Sequence, residues 1–320
     1  MPQPTPRDVH VDAALTNVSV AYMQDQTNFI ASRVFPIVPV EHQSNVYFKY
    51  DKGAFFRDEA QVRAAATESA GSGFDLSTDS YYCPKWAIHK DVDDDTVANA
   101  DPAVDPYRDA TTFVMQQLLI RRERLFATNF MKTGVWGTDV VGTTNFAQWD
   151  DEASSDPFED VKVARIKILS TTGHLPNKFV VSYETHEALK KHPLILDRFK
   201  YTSSESVTEG MLARLFEVDE YIVAKSIYQT SQEKASTAAY AFIASKCALL
   251  VYSAPSPSLL QPTGGYIFAW RGLTGLNGAG IRTKRFRMEH LEADRVESEM
   301  ALSMKLVAAD MGYFFSATVA

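Results

Sequence analysis

Two histidines near the middle of the sequence are the first candidates for chemistry, because histidine is a common metal ligand. His186 and His192 flank Glu187 in a segment with helical character. A zinc-binding helix places its two histidines four residues apart on one face. Here the separation is six residues, which at about 100° per residue puts the rings on different faces, and Pro193 follows at once. We expect these side chains to lie at the surface or to cap a helix.

Three aspartates at alternate positions resemble the start of a calcium-binding loop. Asp91, Asp93 and Asp95 have the spacing of its first ligands, but the loop also needs Gly at its sixth position and Glu at its twelfth. Thr96 and Pro102 occupy those positions. A solvated acidic turn before a helix explains the aspartates better, because a helix N-terminus favours negative charge.

A glycine-rich segment is the third candidate, since phosphate-binding loops are built from glycine. Such a loop continues into Gly-Lys-Ser or Gly-Lys-Thr and then a helix, whereas residues 281–283 here are typical of a strand. We interpret the glycines as a bend between two parts of the chain; they are Gly272, Gly275, Gly278 and Gly280. No nucleophile elbow and no zinc-type cysteine pair is present. The sequence therefore predicts no catalytic, metal or cofactor site, and an enzyme is not expected.

A basic cluster forms the fourth group. Arg121, Arg122 and Arg124 lie close together on a predicted helix, with Glu123 among them. One interpretation is a solvated helix face. The other is a contact between subunits, or a patch that faces an enclosed space.

Composition and charge limit the classes of partner. The chain has 320 residues, 45% apolar and 22% charged, which suits one large domain or two smaller ones. Its net charge of −8 lacks the basic excess of tight nucleic-acid binders. Cys83 and Cys247 form no motif and are expected to be free thiols. No stretch approaches the ~20 apolar residues of a membrane span, and no signal peptide is expected at the amino terminus.

The first ninety residues are predicted to be extended. Pro2, Pro4 and Pro6 disfavour helix at the start, so residues 1–40 are expected to form an arm. Residues 41–90 are expected to form a long hairpin whose middle, residues 64–73, is small and polar. A hairpin of this length cannot bury both of its faces alone. It must lie on its own domain or on a neighbouring subunit.

A long helix is predicted over residues 105–131. Asp105 and Pro106 are start signals, and Lys132 followed by Gly134 is a stop signal. Roughly 27 residues at 1.5 Å each make a rod of about 40 Å. Residues 91–104 before it are predicted to be an acidic connector, and residues 137–160 after it a loop.

The remaining sequence alternates between helical and strand patterns and then becomes mostly strand, which predicts an α+β fold. The predicted helices are Val161–Ser170, Tyr183–Lys191, Leu194–Tyr201 and Thr208–Phe216. The predicted strands are Lys178–Ser182, Tyr221–Ala224, a run within Ala239–Ser253, and most of Ile281–Ala320.

This order of parts resembles the major capsid proteins of tailed bacteriophages, whose Hong Kong-97-like fold is shared with encapsulins. Arg121–Phe130 resembles that family's spine helix, and Leu175–Val181 resembles the first strand of its axial domain. Val307–Phe315 resembles the closing strands of its peripheral domain. The likeness covers nearly the whole chain and rests on arrangement and soft motifs.

The resemblance implies five regions: an N-terminal arm (1–40), an extended loop over a neighbouring subunit (41–90), a peripheral domain (91–165) with spine helix 105–131, an axial domain (166–265), and return strands of the peripheral domain (266–320). It implies that copies form hexamers and pentamers of an icosahedral head enclosing double-stranded DNA. The residues expected at contacts between subunits are Phe48, Lys49, Tyr50, Phe55, Phe56, Arg57, Tyr81, Arg121, Arg122 and Arg124.

The implied partners are other copies, a separate scaffolding protein, a portal and, as an optional addition, a decoration protein. Packaged DNA would be enclosed without sequence-specific binding, and no membrane is involved. Assembly would take place in the host cytoplasm, and the product would be the virion capsid. Three alternatives stay open: an encapsulin compartment around a cargo enzyme, an unrelated two-domain α+β hydrolase, and a tail or baseplate protein.

Overall fold

A computed structural model describes residues 23–100, 104–199, 207–232, 237–256, 261–274 and 280–320. Residues 1–22 of the expected arm, and Gly275 and Gly278 of the glycine-rich segment, lie outside these ranges. The helices are α1 (Ala31–Val34), α2 (Lys52–Phe55), α3 (Asp94–Asn99), α4 (Pro106–Phe130), α5 (Pro157–Thr172), α6 (Tyr183–Lys191), α7 (Pro193–Phe199), α8 (Glu209–Leu215) and α9 (Arg271–Thr274).

The strands fall into two large sheets and two small hairpins. They are β1 (Ile37–Val40), β2 (Ser44–Tyr50), β3 (Leu76–Tyr82), β4 (Lys85–Asp93), β5 (Thr138–Val141), β6 (Lys178–Ser182), β7 (Glu220–Ala224), β8 (Ile227–Gln229), β9 (Tyr240–Phe242), β10 (Cys247–Val251), β11 (Gly265–Trp270), β12 (Ile281–Met288), β13 (Ala293–Leu306) and β14 (Gly312–Ser316). The predicted α+β composition is therefore observed.

The long helix α4 confirms the sequence prediction. It begins at Pro106, where the side chain of Asp105 accepts hydrogen bonds from two backbone N–H groups of the first turn. Apart from Glu123, its buried residues recur every four positions, and because a turn takes 3.6 residues they form a stripe that winds gradually round the helix. The members of that stripe are Ala110, Val114, Leu118, Arg122, Phe126 and Phe130.

The first sheet is organised around the long strand β13. Its first part pairs antiparallel with both β4 and β12, and its last part pairs with β11. Strand β1 then adds to β11 in parallel and forms an edge. Pro39 lies in β1, and an edge strand tolerates proline because one side of its backbone needs no partner. Val296 and Met300 of β13 pack against α4 and the core around it.

The second sheet has the order β5-β14-β10-β6-β7. Both faces are covered, since alternate residues of its central strands belong to two different core clusters. Leu249 points to the cluster under α4, whereas Leu250 points to the cluster beneath α5 and α6. Burial on both sides explains why β10 reads as an unbroken apolar run in the sequence.

Two segments that the sequence predicts as loops carry regular structure. Within 91–104, β4 continues to Asp93 and helix α3 follows; within 137–160, β5 pairs in parallel with β14. The connector prediction is wrong because Asp91 is matched in the strand by Arg295, with two hydrogen bonds of 2.7 and 2.8 Å. Asp93 caps α3 by accepting from the backbone N–H of Thr96.

Replacing Phe126 with alanine should show how far the fold depends on the α4 stripe. Phe126 is fully buried, so Phe126→Ala should lower the free energy of unfolding by about 3–5 kcal/mol through lost burial and a cavity. Urea unfolding of the unassembled subunit measures it. Phe113, on the exposed side of the same helix, is the matched control: Phe113→Ala should cost about 1 kcal/mol or less. Equal losses of unfolding free energy in the two variants would contradict the prediction that the fold depends on the buried α4 stripe.

Candidate functional site

The hairpin β2–β3 has two unlike faces. Tyr47 and Tyr81 point toward the first sheet, where both rings pack on Phe268 with centroid distances of 5.7 and 4.7 Å. The hydroxyl of Tyr47 donates to Asp79 across the hairpin at 3.0 Å. These contacts anchor the root of the hairpin to its own chain.

The opposite face of the hairpin carries large uncovered apolar side chains, with Ser44, Thr78 and Ser80 between them. Val46, Phe48, Leu76 and Tyr82 are all exposed, and Phe48 keeps 55% of its surface open to solvent. An antiparallel sheet with one solvated face normally carries polar side chains there. Contiguous apolar surface of this kind is typical of a site that contacts another protein.

The tip of the hairpin extends this surface. Asp51 caps the short helix α2 by accepting from the backbone N–H groups of the next turn. The rings of Tyr50, Phe55 and Phe74 form a group with centroid separations of 5.6 to 6.1 Å. Phe55 and its neighbour Phe56 nevertheless remain more than half exposed.

The hairpin residues singled out from the sequence divide into two sets. Phe48, Phe55, Phe56, Lys49 and Arg57 are exposed, and Tyr50 is half-buried beside the tip aromatics. Tyr81 is buried against its own chain and presents no open surface. The exposed set, with its apolar neighbours, is the candidate assembly surface.

The three arginines of α4 do not share one environment. The guanidinium of Arg121 stacks on Trp86 at 4.0 Å, and that of Arg124 stacks on Tyr228 at 4.6 Å. Arg122 is only 8% exposed, and its Nε has no hydrogen-bond partner in the described parts of the chain. The interpretation of a solvated face is therefore wrong for Arg122. A spacing of four residues from Leu118 and from Phe126 is the signal that could have revealed it.

Glu123 has a structural role that the sequence did not reveal. It is buried, and its two carboxylate oxygens accept hydrogen bonds from the backbone N–H groups of Ile30 at 3.2 Å and Ala31 at 3.1 Å. It thereby caps α1, the short helix within the expected arm. Burial raises the pKa of Glu123 to about 7, while the two N–H donors and the Arg122 charge oppose that rise.

The other end of α1 is held by the second sheet. The ammonium group of Lys178 donates to the carbonyl oxygens of Arg33 at 2.6 Å and Val34 at 3.1 Å. A carboxylate at the start and a cation at the end both match the dipole of a helix. Because Glu123 belongs to α4 and Lys178 to β6, the segment is tied to both parts of the fold.

The two histidines do not form a metal site. His186 is buried, with Nδ1 3.1 Å from the hydroxyl of Tyr221. Nδ1 of the buried His192 accepts from the backbone N–H of Leu194 at 3.3 Å, which leaves Nε2 to donate to Ser155 at 2.9 Å. The prediction of a surface or capping role is therefore wrong for His186, which is buried within α6, and is confirmed for His192, which caps the end of α6.

The remaining candidates also point to structural roles. Across the described ranges, no group of three or more His, Cys, Asp or Glu side chains is arranged to hold a metal ion. Gly280 has a φ of +74°, as expected for a bend. None of the helices in the described segments combines the length and apolarity needed to cross a membrane.

Two curated relatives are similar to this chain in sequence. The major capsid protein of Burkholderia phage BcepMu is 23% identical over 312 residues, which covers 96% of each chain. The major capsid protein of Pseudomonas phage JBD67 is 26% identical over 223 residues, covering 68% of this chain and 67% of the relative. Neither name describes an enzyme. No protein-family model matches the sequence.

Solved structures share the fold over most of its length. A phage-related protein from Bordetella bronchiseptica RB50 superposes with a TM-score of 0.69 and 22% identity, covering 92% of this chain and 93% of its own. The capsid of cyanophage P-SCSP1u superposes with a TM-score of 0.63 and 9% identity, covering 97% of this chain and 93% of its own. The SrpI encapsulin of Synechococcus elongatus PCC 7942 superposes with a TM-score of 0.56 and 14% identity, covering 96% of this chain and 95% of its own. The mixed α/β architecture is that of phage capsid and encapsulin subunits, and the resemblance inferred from the sequence is confirmed.

Replacing Glu123 with glutamine should change the pH dependence of stability in a defined direction. The raised pKa means that the folded chain keeps a proton between pH 4.5 and about 7 that the unfolded chain has lost. This carboxyl group therefore lowers the free energy of unfolding as pH rises through the window, whereas His186 and His192, whose pKa values are lowered by burial, act in the opposite direction. Stability should accordingly rise more with pH in Glu123→Gln than in the wild type. Urea titrations at about pH 5 and about pH 8 measure the slope.

A matched control is Glu68→Gln, which alters an exposed carboxylate in the connection between β2 and β3 and should leave the wild-type slope in place. If both variants kept the wild-type slope, the buried contact between Glu123 and α1 would not control the titration.

Proposed function

We propose that this chain is the major capsid protein of a tailed bacteriophage, a structural subunit whose copies assemble into a closed shell. The observation that carries the proposal is the similarity to a phage major capsid protein over 96% of both chains. The shared architecture with phage capsid subunits supports it independently. The role is that of a building block rather than of an enzyme.

The two unlike faces of the hairpin give a physical reason for assembly. Its inner face is fixed to its own chain by Tyr47 and Tyr81, while its outer face and tip leave large apolar side chains in water. Covering that surface requires another protein molecule, and identical copies suffice. Repeated contacts of modest area around a closed symmetric shell stabilise it collectively.

The regions then take the roles of a Hong Kong-97-like subunit. Residues 41–90 are the extended loop over a neighbour, and residues 91–165 with residues 266–320 form the peripheral domain around the spine helix. Residues 166–265 form the axial domain around the five-fold and six-fold axes, and residues 1–40 are the arm. The packing of β4, β12 and β13 against α4 supports grouping these elements in one domain.

The partners follow from the same proposal. Copies form hexamers and pentamers of an icosahedral head that encloses double-stranded DNA without reading its sequence. A scaffolding protein, a portal and, optionally, a decoration protein complete the particle, which assembles in the host cytoplasm and remains in the virion. The acidic net charge of −8 supports enclosure rather than tight binding of DNA.

An encapsulin-type compartment is the second candidate, favoured by the TM-score of 0.56 to the SrpI encapsulin. The contents of purified shells separate the two: a cargo protein inside would support the compartment. Packaging of DNA in the presence of the phage's other head proteins would support the capsid.

Purified, overexpressed protein should form closed, round shells of uniform diameter in negative-stain electron micrographs. The reason is that neighbouring copies can cover the exposed apolar surface of the hairpin. Tubes or rings would indicate a tail or baseplate component instead. A monodisperse monomer at high concentration would contradict the proposal.

A charge placed on the outer face of the hairpin should block assembly without unfolding the subunit. Phe48→Asp puts a carboxylate where we expect an apolar contact between copies, and Phe48 is too exposed to matter for the core. Its unfolding free energy should stay within about 0.5 kcal/mol of wild type, while shells disappear from micrographs. Phe48→Leu keeps the apolar surface and should still assemble. Normal shells from Phe48→Asp would exclude this face from the contact.

A further inference from the structure

A row of three cations lies along one side of helix α4, and each cation is held over an aromatic ring. Its members are Lys90, Arg121 and Arg124. The ammonium group of Lys90 lies 5.7 Å from the ring centroid of Phe113. The two guanidinium groups lie over the rings of Trp86 and Tyr228. Positions 113, 121 and 124 of α4 fall within about 80° of one another at about 100° per residue. The row therefore follows one side of the helix for about 16 Å.

The charges of this row are not neutralised by carboxylates. Within the described ranges, none of the three cations forms an ion pair or donates a hydrogen bond. The cations of β12 differ, since Arg282 and Lys284 both reach Glu299, at 2.7 and 2.9 Å. Glu123, the carboxylate that α4 itself places beside the row, accepts hydrogen bonds from the backbone of α1 instead. A cation over an aromatic ring keeps its charge and its N–H donors, so both stay available to another molecule.

Unsatisfied donors lie within the same stretch of α4. The Nε atoms of Arg121 and Arg122 are both buried, and neither has a hydrogen-bond partner in the parts of the chain that the structure describes. Buried polar groups in folded proteins are nearly always hydrogen-bonded. Two adjacent exceptions show that this stretch carries more donors than the single chain has acceptors for. A ligand rich in anionic oxygens would correct that imbalance.

The surface around the row is polar, which distinguishes it from the hairpin. Between residues 114 and 130 of α4, the exposed side chains are those of Arg124, Thr128 and Asn129. Phe113, the large apolar residue next to this stretch, lies under Lys90. The centre of a contact between proteins is normally apolar, and large apolar side chains are exposed on the hairpin instead. The row is therefore better suited to a polyanion than to another copy of the chain.

We infer that the α4 row binds the phosphate backbone of the duplex DNA that the shell encloses. The inference rests on the proposed capsid function and deepens it by naming the surface that meets the DNA. Duplex DNA carries one negative charge per about 1.7 Å of its axis, so a row of about 16 Å can meet several phosphates at once. Guanidinium groups bind phosphate oxygens through two parallel hydrogen bonds. Contacts of this kind are independent of base sequence.

The hold on the DNA is weak, which agrees with the acidic character of the chain. Three phosphate contacts give a small binding energy that salt disrupts easily. The net charge of −8 repels the polymer from the rest of the subunit. The DNA is therefore located next to α4 without being fixed there. Helix α4 then faces the lumen of the shell, and the hairpin is left for contacts with neighbours.

The salt dependence of DNA binding counts the contacts. A short fluorescein-labelled duplex is titrated with full-length protein, below the concentration at which shells form. Fluorescence anisotropy gives the binding constant between about 50 and about 200 mM salt. Three phosphate contacts predict that log K falls with the logarithm of the salt concentration with a slope of about −3. Wild-type protein that does not bind the duplex even at the lowest salt would overturn the inference.

Single substitutions assign this slope to the row. Arg121→Gln and Arg124→Gln should each bring the slope closer to zero by about one, because each removes one phosphate contact. Arg124→Lys keeps the charge and should retain the wild-type slope. Lys162→Gln is the matched control, since it removes an exposed cation of α5 that is paired with Glu159, and the slope should not change. Equal effects of Lys162→Gln and Arg124→Gln would show that only net charge matters, and the row would be excluded.

A triple variant and a competitor separate DNA from the two protein partners that a cationic surface could serve. The variant with Lys90→Gln, Arg121→Gln and Arg124→Gln should lose DNA binding and still form normal shells, because the row does not contact a neighbouring copy. A folded triple variant that formed no shells would identify the row as a contact between copies. Displacement of the duplex by polyglutamate at a lower concentration than by unlabelled duplex would identify an acidic protein as the ligand.

Either of these two results would overturn the inference and leave the proposed capsid function standing. A wild-type protein that binds the duplex with the expected slope but never forms shells would overturn the proposed function instead.

Discussion

The buried stripe of helix α4 is the constraint on which the rest of the fold depends. One side of a 25-residue helix must be removed from water along its whole length, and neither sheet alone can cover it. The first sheet covers the beginning through Val296 of β13, and both sheets meet the later turns around Phe126 and Phe130. This shared core makes the two sheets parts of one structure.

A second consequence of that packing is a pair of charges placed in the core. Arg122 occupies a stripe position between apolar residues, and Glu123 beside it is buried by the segment that it caps. A buried charge is costly unless it is paired or hydrogen-bonded. Glu123 meets this requirement by accepting hydrogen bonds from two backbone N–H groups at the start of α1. At the other end of α1, the ammonium group of Lys178 donates to backbone carbonyl oxygens. The arm segment is therefore positioned by electrostatics as well as by the packing of Phe35.

The apolar surface that a single chain leaves open has a distinct distribution. It lies on the outer face of the hairpin, at its tip, and on the outer side of α5. Each region is narrow, and each is displayed on an element whose other side is anchored. Surfaces of this form favour lateral contact between identical molecules over aggregation in random orientations, because the anchored side fixes the direction of approach. A shell subunit needs this property.

Local sequence determined much of the secondary structure. Asp105 followed by Pro106 marked the start of α4, and the boundaries of β6 and α6 coincide with the predicted ones. The absence of metal-ligand spacing between His186 and His192 was also readable from the sequence. In each case the signal is short-range: a cap, a periodicity, or a separation along the chain.

Tertiary structure alone decided which charges are buried and which apolar residues are not. Asp91 sits within β4 because Arg295, about two hundred residues away, supplies its partner. Strand β5 escaped sequence prediction because its pairing with β14 is long-range. From the sequence alone, the carboxylate of Glu123 looks like another surface charge. It is buried because α1 packs against it in the folded chain. Burial is a property of the assembled neighbourhood, and residues far apart in the chain create it.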